Sequence, residues 1–239
     1  MSRTVLVVDD EPSIRRVLTQ YLEADGHRVV EASTGAEALQ RLGLAGRPAA
    51  PVDLVLLDIG LPDIDGLQVL STLRRTSNVY VLVLTARAEE TDKLVGLHVG
   101  ADDYVTKPFS VREVAARVKA AFRRMDTQTE ASGDDLLRLG DLSIDVGARE
   151  VRVGDQPVEL TALDFDLLLA LAERPGRVLS RAQLLERVWG YDFYGDERVV
   201  DVHIRTMRRA LGDDPVQPRF IATVRGVGYK MLLPGTRHR

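Results

Sequence analysis

The chain contains no cysteine, which excludes both a disulfide framework and a thiolate metal site. It has no apolar run near the roughly 20 residues needed to cross a bilayer. The opening stretch MSRTVLVVDD also lacks a secretion signal's layout, because its apolar segment is short and ends in carboxylates. These absences lead us to expect a cytoplasmic protein with no membrane partner. No segment repeats, and the formal net charge is only −4, so the chain as a whole is not a polycation. What is present is ordinary globular material: 239 residues, 45% hydrophobic and 28% charged, enough for two domains of usual size.

The small net charge conceals an uneven distribution. Residues 1–136 and 137–197 each carry −5, whereas residues 198–239 hold 9 Lys+Arg against 3 Asp+Glu, a balance of +6. A basic excess confined to one stretch is an electrostatic footprint for a polyanion.

Hydrophobic patterning divides the chain in the same way. From TVLVVDD (4–10) to SVREVAARVKAAFRR (110–124), strand-like and helix-like segments alternate five times. Such alternation predicts a parallel sheet, because each parallel crossover needs a helix. Continuous apolar runs such as Val55-Leu56-Leu57 suit strands buried on both faces. MDTQTEASGDD (125–135) is polar and aperiodic, and reads as a linker. Beyond it, short alternating segments broken by Gly and Asp-Gln-Pro predict antiparallel strands. Three helical segments follow, and RFIATVRGVGYKML (219–232) reads as a closing hairpin.

In an open parallel sheet, functional groups collect at the carboxyl ends of the strands. Those ends here carry Asp9 and Asp10, Asp58, Thr85 and Lys107. Three clustered carboxylates repel one another unless a cation neutralises them, and an all-oxygen set suits Mg²⁺. With such a cation present, Asp58 can act as nucleophile towards a phosphoryl group. Lys107 and the Thr85 hydroxyl are then placed to hold phosphoryl oxygens. Two other chemistries fit poorly. A haloacid-dehalogenase-type site needs an acid two residues after its nucleophile, where Gly60 stands, so we expect no turnover enzyme. A calcium loop around DIDG would put Leu61 first and Thr72 twelfth, where acidic ligands are required.

The segments LVVDDE, LLDIGLPDIDG, LTAR and GADDYVTKPF resemble the signatures of response-regulator receiver domains of bacterial two-component systems. The resemblance implies that Asp58 is the phosphoacceptor, modified by a sensor histidine kinase. It implies that Asp10, Asp58 and the Gly60 carbonyl ligate Mg²⁺, with Asp9 acting on the metal or its waters. Thr85 and Tyr104 would form a switch pair, Lys107 would contact the phosphoryl group, and the bond before Pro108 would be cis. Gly60 departs from the family, which usually has a larger side chain there. We expect easier water access to the acyl phosphate as a result. GLAGRPAAPV (43–52) is longer than the usual connection and is expected to be a surface insertion without chemistry. The family dimerises through the face spanning 89–124, which implies pairs of Lys93 with Glu113, Asp103 with Arg117, and Asp102 with Lys119.

In RVVDVHIRTMRRALG, Val200, Ile204, Met207 and Leu211 recur at helical spacing and should face a core. Arg198, Arg205, Arg208 and Arg209 fall mainly elsewhere, a basic surface suited to the major groove. Arg225 and Lys230 lie in the hairpin, whose tip could reach a minor groove. This half resembles the winged-helix DNA-binding domain of the OmpR/PhoB family. The resemblance makes 197–211 the recognition helix and 220–232 the wing, with Arg198, His203, Arg205, Arg208 and Arg225 contacting double-stranded DNA. Loop 190–197 would correspond to a segment that touches RNA polymerase.

The expected fold class is α/β, a doubly wound five-stranded parallel receiver domain followed by an α+β winged-helix DNA-binding domain. Its expected parts are the receiver (1–124), a flexible linker (125–136), the DNA-binding domain (137–233) and a tail (234–239). The expected function is transcriptional regulation in which phosphorylation of Asp58 favours a homodimer on paired DNA half-sites. The alternative is a phosphorylation-independent regulator that uses its receiver only to dimerise.

Overall fold

A computed structural model describes residues 2–44, 51–85, 100–129, 136–190 and 197–233. The chain divides into two compact units, Met1–Lys119 and Ala120–Arg239.

The first unit is a five-stranded parallel sheet of β1 (Thr4–Val8), β2 (Arg28–Ala32), β3 (Leu54–Asp58), β4 (Tyr80–Thr85) and β5 (Asp103–Thr106). The strand order is β2-β1-β3-β4-β5, with β1 paired in parallel to both β2 and β3. Every residue of β3 and β4 is buried, so both faces are covered, as unbroken Val/Leu runs require. The order reverses beside β1, and the crevice at the carboxyl ends of β1 and β3 is where such sheets place their ligands.

Helices α1 (Pro12–Ala24), α2 (Gly35–Arg41), α3 (Gly66–Arg74) and α4 (Val111–Thr129) accompany the sheet. Their starts follow local chemistry. Pro12 opens α1, where its missing N–H costs nothing. Thr34 caps α2 by accepting from Glu37 N at 3.1 Å, and Glu37 reaches back to accept from Ser33 N at 2.9 Å. Asp65 caps α3, accepting from Leu67 N at 2.8 Å.

EETDKLVGLHVG (89–100), which the alternation makes the fourth helix-like segment, lies outside the described residues except for Gly100, as does most of the insertion at 43–52. One boundary needs correction: α4 continues to Thr129, five residues into the expected linker. No Gly or Pro interrupts Met125–Thr129, and each further residue adds one hydrogen bond to a helix already nucleated.

The second unit opens with a four-stranded antiparallel sheet of β6 (Leu136–Leu139), β7 (Leu142–Asp145), β8 (Glu150–Val153) and β9 (Gln156–Val158). Helices α5 (Ala162–Ala172), α6 (Arg181–Val188) and α7 (Arg198–Leu211) follow. Ser180 and Gln183 form a reciprocal capping box at the start of α6. The chain closes with β11 (Ile221–Val224) and β12 (Gly228–Met231), paired antiparallel. A two-residue strand, β10 (Leu179–Ser180), adds to β12; it is too short for its alternation to be seen in the sequence. Val200, Ile204, Met207 and Leu211 are all buried, none more than 3% exposed, as their spacing predicts.

Candidate functional site

The end of β3 is held tightly. Ile59 N donates to Leu84 O on β4 at 3.2 Å, and Gly66 N returns to Ile59 O at 3.0 Å. A Cβ on Gly66 would fall 2.2 Å from the Asp58 carbonyl oxygen, so only glycine lets α3 begin this close to β3. The second acidic turn is structural. Asp63 accepts from Gly35 N at 2.7 Å and Ala36 N at 2.9 Å, which ties the loop to α2. The Ala36 bond leads the backbone contacts that hold the Asp63 carboxyl below its ordinary range.

Four predicted groups converge on this strand end. Asp58 is 4% exposed, Asp9 fully buried and Thr85 2% exposed. Lys107 Nζ lies 2.8 Å from Asp9 Oδ2 and 2.8 Å from Asp58 Oδ2, bridging the two carboxylates. It also reaches Glu11 Oε1 at 3.5 Å. The other carboxylate oxygens take backbone donors: Glu11 N to Asp9 Oδ1 at 2.9 Å, and Gly60 N to Asp58 Oδ1 at 3.2 Å.

Burial pushes the Asp9 carboxyl up, and the ammonium of Lys107 offsets this only in part. Burial also works against the Lys107 charge. Its bonds to Asp58 and Asp9 outweigh that and hold the ammonium above its ordinary pKa. Lys107 is placed from β5, whose exit is fixed by Lys107 N donating to Thr85 O at 2.7 Å. The expected cis bond joins Lys107 to Pro108.

Carboxylate oxygens of Asp9, Asp10 and Asp58 lie within 4.8 Å of one another. This is an all-oxygen donor set with exposed Asp10 open to water, the chemistry that suits Mg²⁺ with retained waters. The residues therefore fit a divalent cation. Sequence reasoning missed the group that shapes this loop. Arg15 Nη1 donates to the carbonyls of Asp9 (2.7 Å) and Asp10 (3.1 Å), while its Nε pairs with Glu31 Oε2 at 3.3 Å. Its place one turn into α1 was the available signal. Gly60 is exposed, and a Cβ there would sit 3.8 and 3.9 Å from the two Asp58 carboxylate oxygens.

Thr85 pairs in register with Thr106 across β4 and β5. Tyr104, two residues earlier, therefore shares a sheet face with Thr85. It is neither fully buried nor fully exposed.

Part of the charged face expected at 89–124 is buried or paired within one chain. Asp102 is fully buried. Its Oδ2 accepts from Arg74 Nη2 and Val81 N, each at 2.7 Å. It is an internal strut, not a surface partner for Lys119, which is exposed. Asp103 and Arg117 meet within one chain at 2.9 and 3.0 Å, and Arg117 also takes Glu113 at 2.9 Å. Lys93 lies outside the described residues.

On α7, Arg198, Arg205 and Arg209 are exposed, as is Arg225 at the hairpin tip. There Gly226 takes φ 73°, a turn conformation that glycine adopts without strain. Lys230, further along β12, is half-buried.

Two residues expected to contact DNA, His203 and Arg208, are instead buried. His203 is 2% exposed; its Nδ1 lies 2.7 Å from Asp164 Oδ1, and its ring lies 5.5 Å from that of Trp189. It follows Val200 by three residues and precedes Met207 by four, which places it on the core face. Arg208 is 9% exposed, because its Nη2 donates to Ile221 O at 2.7 Å and Thr223 Oγ1 at 2.9 Å. That guanidinium ties the helix to β11. Of loop 190–197 and the tail, residues 191–196 and 234–239 lie outside the described residues. No described helix is long and apolar enough to cross a membrane.

Comparison with known proteins gives two family matches. Residues 5–119 match the response regulator receiver domain, and residues 155–231 match the transcriptional regulatory protein C-terminal domain. The chain is 44% identical over 241 residues to the alkaline phosphatase synthesis transcriptional regulatory protein PhoP of Bacillus subtilis, covering 98% of each. It is 43% identical over 230 residues to the DNA-binding response regulator MtrA of Mycolicibacterium smegmatis, covering 96% of this chain and 97% of that one. Among solved structures it is similar to DrrB, a Thermotoga maritima OmpR/PhoB homolog. That similarity has a TM-score of 0.52 at 34% identity and covers 97% of this chain and all of the other.

Proposed function

The chain belongs to the OmpR/PhoB family of two-component response regulators, and from that premise we propose that phosphorylation of Asp58 controls its binding to DNA. The observation that carries this reading is the Lys107 ammonium, 2.8 Å from oxygens of both Asp9 and Asp58. Such a group can pass from an acceptor carboxylate to the phosphoryl oxygens that replace it. The reaction is a displacement at phosphorus. An Asp58 oxygen forms the new O–P bond as the P–N bond of a histidine kinase's phosphohistidine breaks, and the departing imidazole takes up a proton. With a small acyl phosphate as donor, a P–O bond breaks instead.

Asp9, Asp10, Asp58 and the Gly60 carbonyl would hold Mg²⁺, which offsets charge on the transferred group when bound. Lys107 neutralises one phosphoryl oxygen, and the Thr85 hydroxyl donates to another. Drawing in Thr85 opens space on the sheet face it shares with Tyr104, which then turns inward and biases the neighbouring surface.

Dimerisation through 89–124 would follow. Pairing of Arg117 with a second chain requires its intrachain bonds to Asp103 and Glu113 to be exchanged. That exchange makes the dimer conditional rather than constitutive. Arg198, Arg205 and Arg225 would engage phosphates and base edges, with two DNA-binding domains occupying paired half-sites. RNA polymerase would be met through loop 190–197. The receiver acts from 1–124, and the DNA-binding domain from 137–233.

Acetyl phosphate with Mg²⁺ should add the mass of one phosphoryl group to the wild-type chain and none to Asp58→Asn. It should also raise DNA affinity only in the wild type. Unlabelled wild-type protein that binds DNA equally in both states would favour the phosphorylation-independent reading.

A further inference from the structure

One acidic side chain lies on the face that the arginines make basic. Arg198, Asp201 and Arg205 fall at i, i+3 and i+7 along α7, one stripe of the helix. Both arginines are exposed, and 38% of the Asp201 side chain is exposed between them. A carboxylate there weakens attraction to phosphate, so a surface that only gripped the DNA backbone would gain nothing from it.

Asp201 is held from two other elements. Arg181 Nε, at the start of α6, donates to Oδ1 at 2.7 Å, and the Tyr229 hydroxyl on β12 donates to the same oxygen at 2.7 Å. Tyr229 is 5% exposed. Burial, reinforced by the Asp201 charge, pushes its pKa up to about 12, so the hydroxyl remains a donor at neutral pH. Among the described residues, Oδ2 receives no hydrogen bond. The clamp thus fixes one oxygen and leaves the other as an oriented, unused acceptor.

In the major groove, two base edges offer an amine, cytosine N4 and adenine N6. Adenine sets the N7 acceptor beside its amine, where it repels a carboxylate. Cytosine presents only a C–H next to N4. We infer, on the premise that this helix reads DNA as proposed above, that Asp201 is a specificity residue selecting cytosine by accepting from N4 through Oδ2. Arg181 and Tyr229 are its positioning residues. They hold the carboxylate so that it does not swing to the neighbouring arginines.

The test is selection from random-sequence duplex DNA by the full chain, with and without acetyl phosphate, alongside Asp201→Ala and Asp201→Asn. The Asn variant retains an acceptor for Arg181 and Tyr229 but replaces the second oxygen with an amide nitrogen. Wild-type protein should enrich a half-site with cytosine at one position. Both variants should enrich the same half-site with that preference reduced on the order of fivefold to tenfold, and Asn should move the position towards adenine. Variants that keep the cytosine as strongly as the wild type overturn the inference and leave DNA binding intact. Variants that enrich nothing and unfold at a lowered thermal midpoint would make Asp201 a structural node only and overturn the inference. A wild-type chain that enriches no sequence in either state overturns both this inference and the proposed DNA-binding function.

Discussion

At the scale of single residues, Gly60 stands beside the acceptor carboxylate, where the resemblance implies a larger side chain. A side chain there would begin 3.8 Å from an Asp58 oxygen, in van der Waals contact with the proposed phosphorylation site. Gly60→Met should therefore shield the acyl phosphate from water and lengthen its lifetime several-fold, on the order of 1 kcal/mol in barrier. The decay of phosphorylated protein followed on phosphate-affinity gels checks this; an unchanged or shorter lifetime refutes it. His203 makes a different case. Removing it by His203→Leu leaves the Asp164 carboxylate, 1% exposed, without its 2.7 Å partner. The expected cost is roughly 2–4 kcal/mol of stability, read from urea unfolding. A DNA contact would instead lose affinity with stability intact.

At the scale of elements, Arg208 joins α7 to the closing hairpin. Its bonds to Ile221 O and Thr223 Oγ1 continue through Asp213, which accepts from Arg219 N, Phe220 N and Ile221 N. Arg208→Met should lower DNA affinity by loosening the wing. It should leave the dependence on salt nearly unchanged if the guanidinium stays buried against β11 rather than reaching a phosphate. Arg205→Ala should weaken binding and also lower the salt slope by about one. Affinities measured from 50 to 200 mM salt separate the two.

The sequence allows the faces of α7 to be read well at Val200, Ile204, Met207 and Leu211, because a buried stripe repeats every 3.6 residues. His203 and Arg208 border that stripe, and their burial follows from partners 39 and 13 residues away, which periodicity does not encode. Asp102 is similar: the resemblance implied a surface pairing, but Arg74, 28 residues earlier, and the Val81 amide, 21 residues earlier, hold it inside. The acceptor cluster was legible because strand ends in a parallel sheet must share an edge. Arg15 was less so: its place one turn into α1 was a signal, but its bonds to the Asp9 and Asp10 carbonyls leave no pairing pattern in the sequence.

At the scale of the whole molecule, stability should depend on pH through carboxylates that bind backbone amides. Asp63 is held below its ordinary value first by the Ala36 amide, and Glu37 first by the Ser33 amide. A depressed folded pKa adds stability above the unfolded value, and that stability is lost as pH falls through the folded one. Thermal midpoints should therefore be flat above about pH 5 and fall progressively below about pH 4.5. Asp63→Asn should flatten part of that descent. An equally steep acid limb in the variant would remove Asp63 from the account.

The double contact of Lys107 bears on how a signal ends. On the proposed reading, loss of the phosphoryl group to water would leave the Asp9 and Asp58 carboxylates facing each other again, with the Lys107 ammonium 2.8 Å from an oxygen of each. The resting arrangement would then act as an electrostatic return spring, drawn back by the protein's own charge. The lifetime of the proposed signal would then be set at the hydrolysis step.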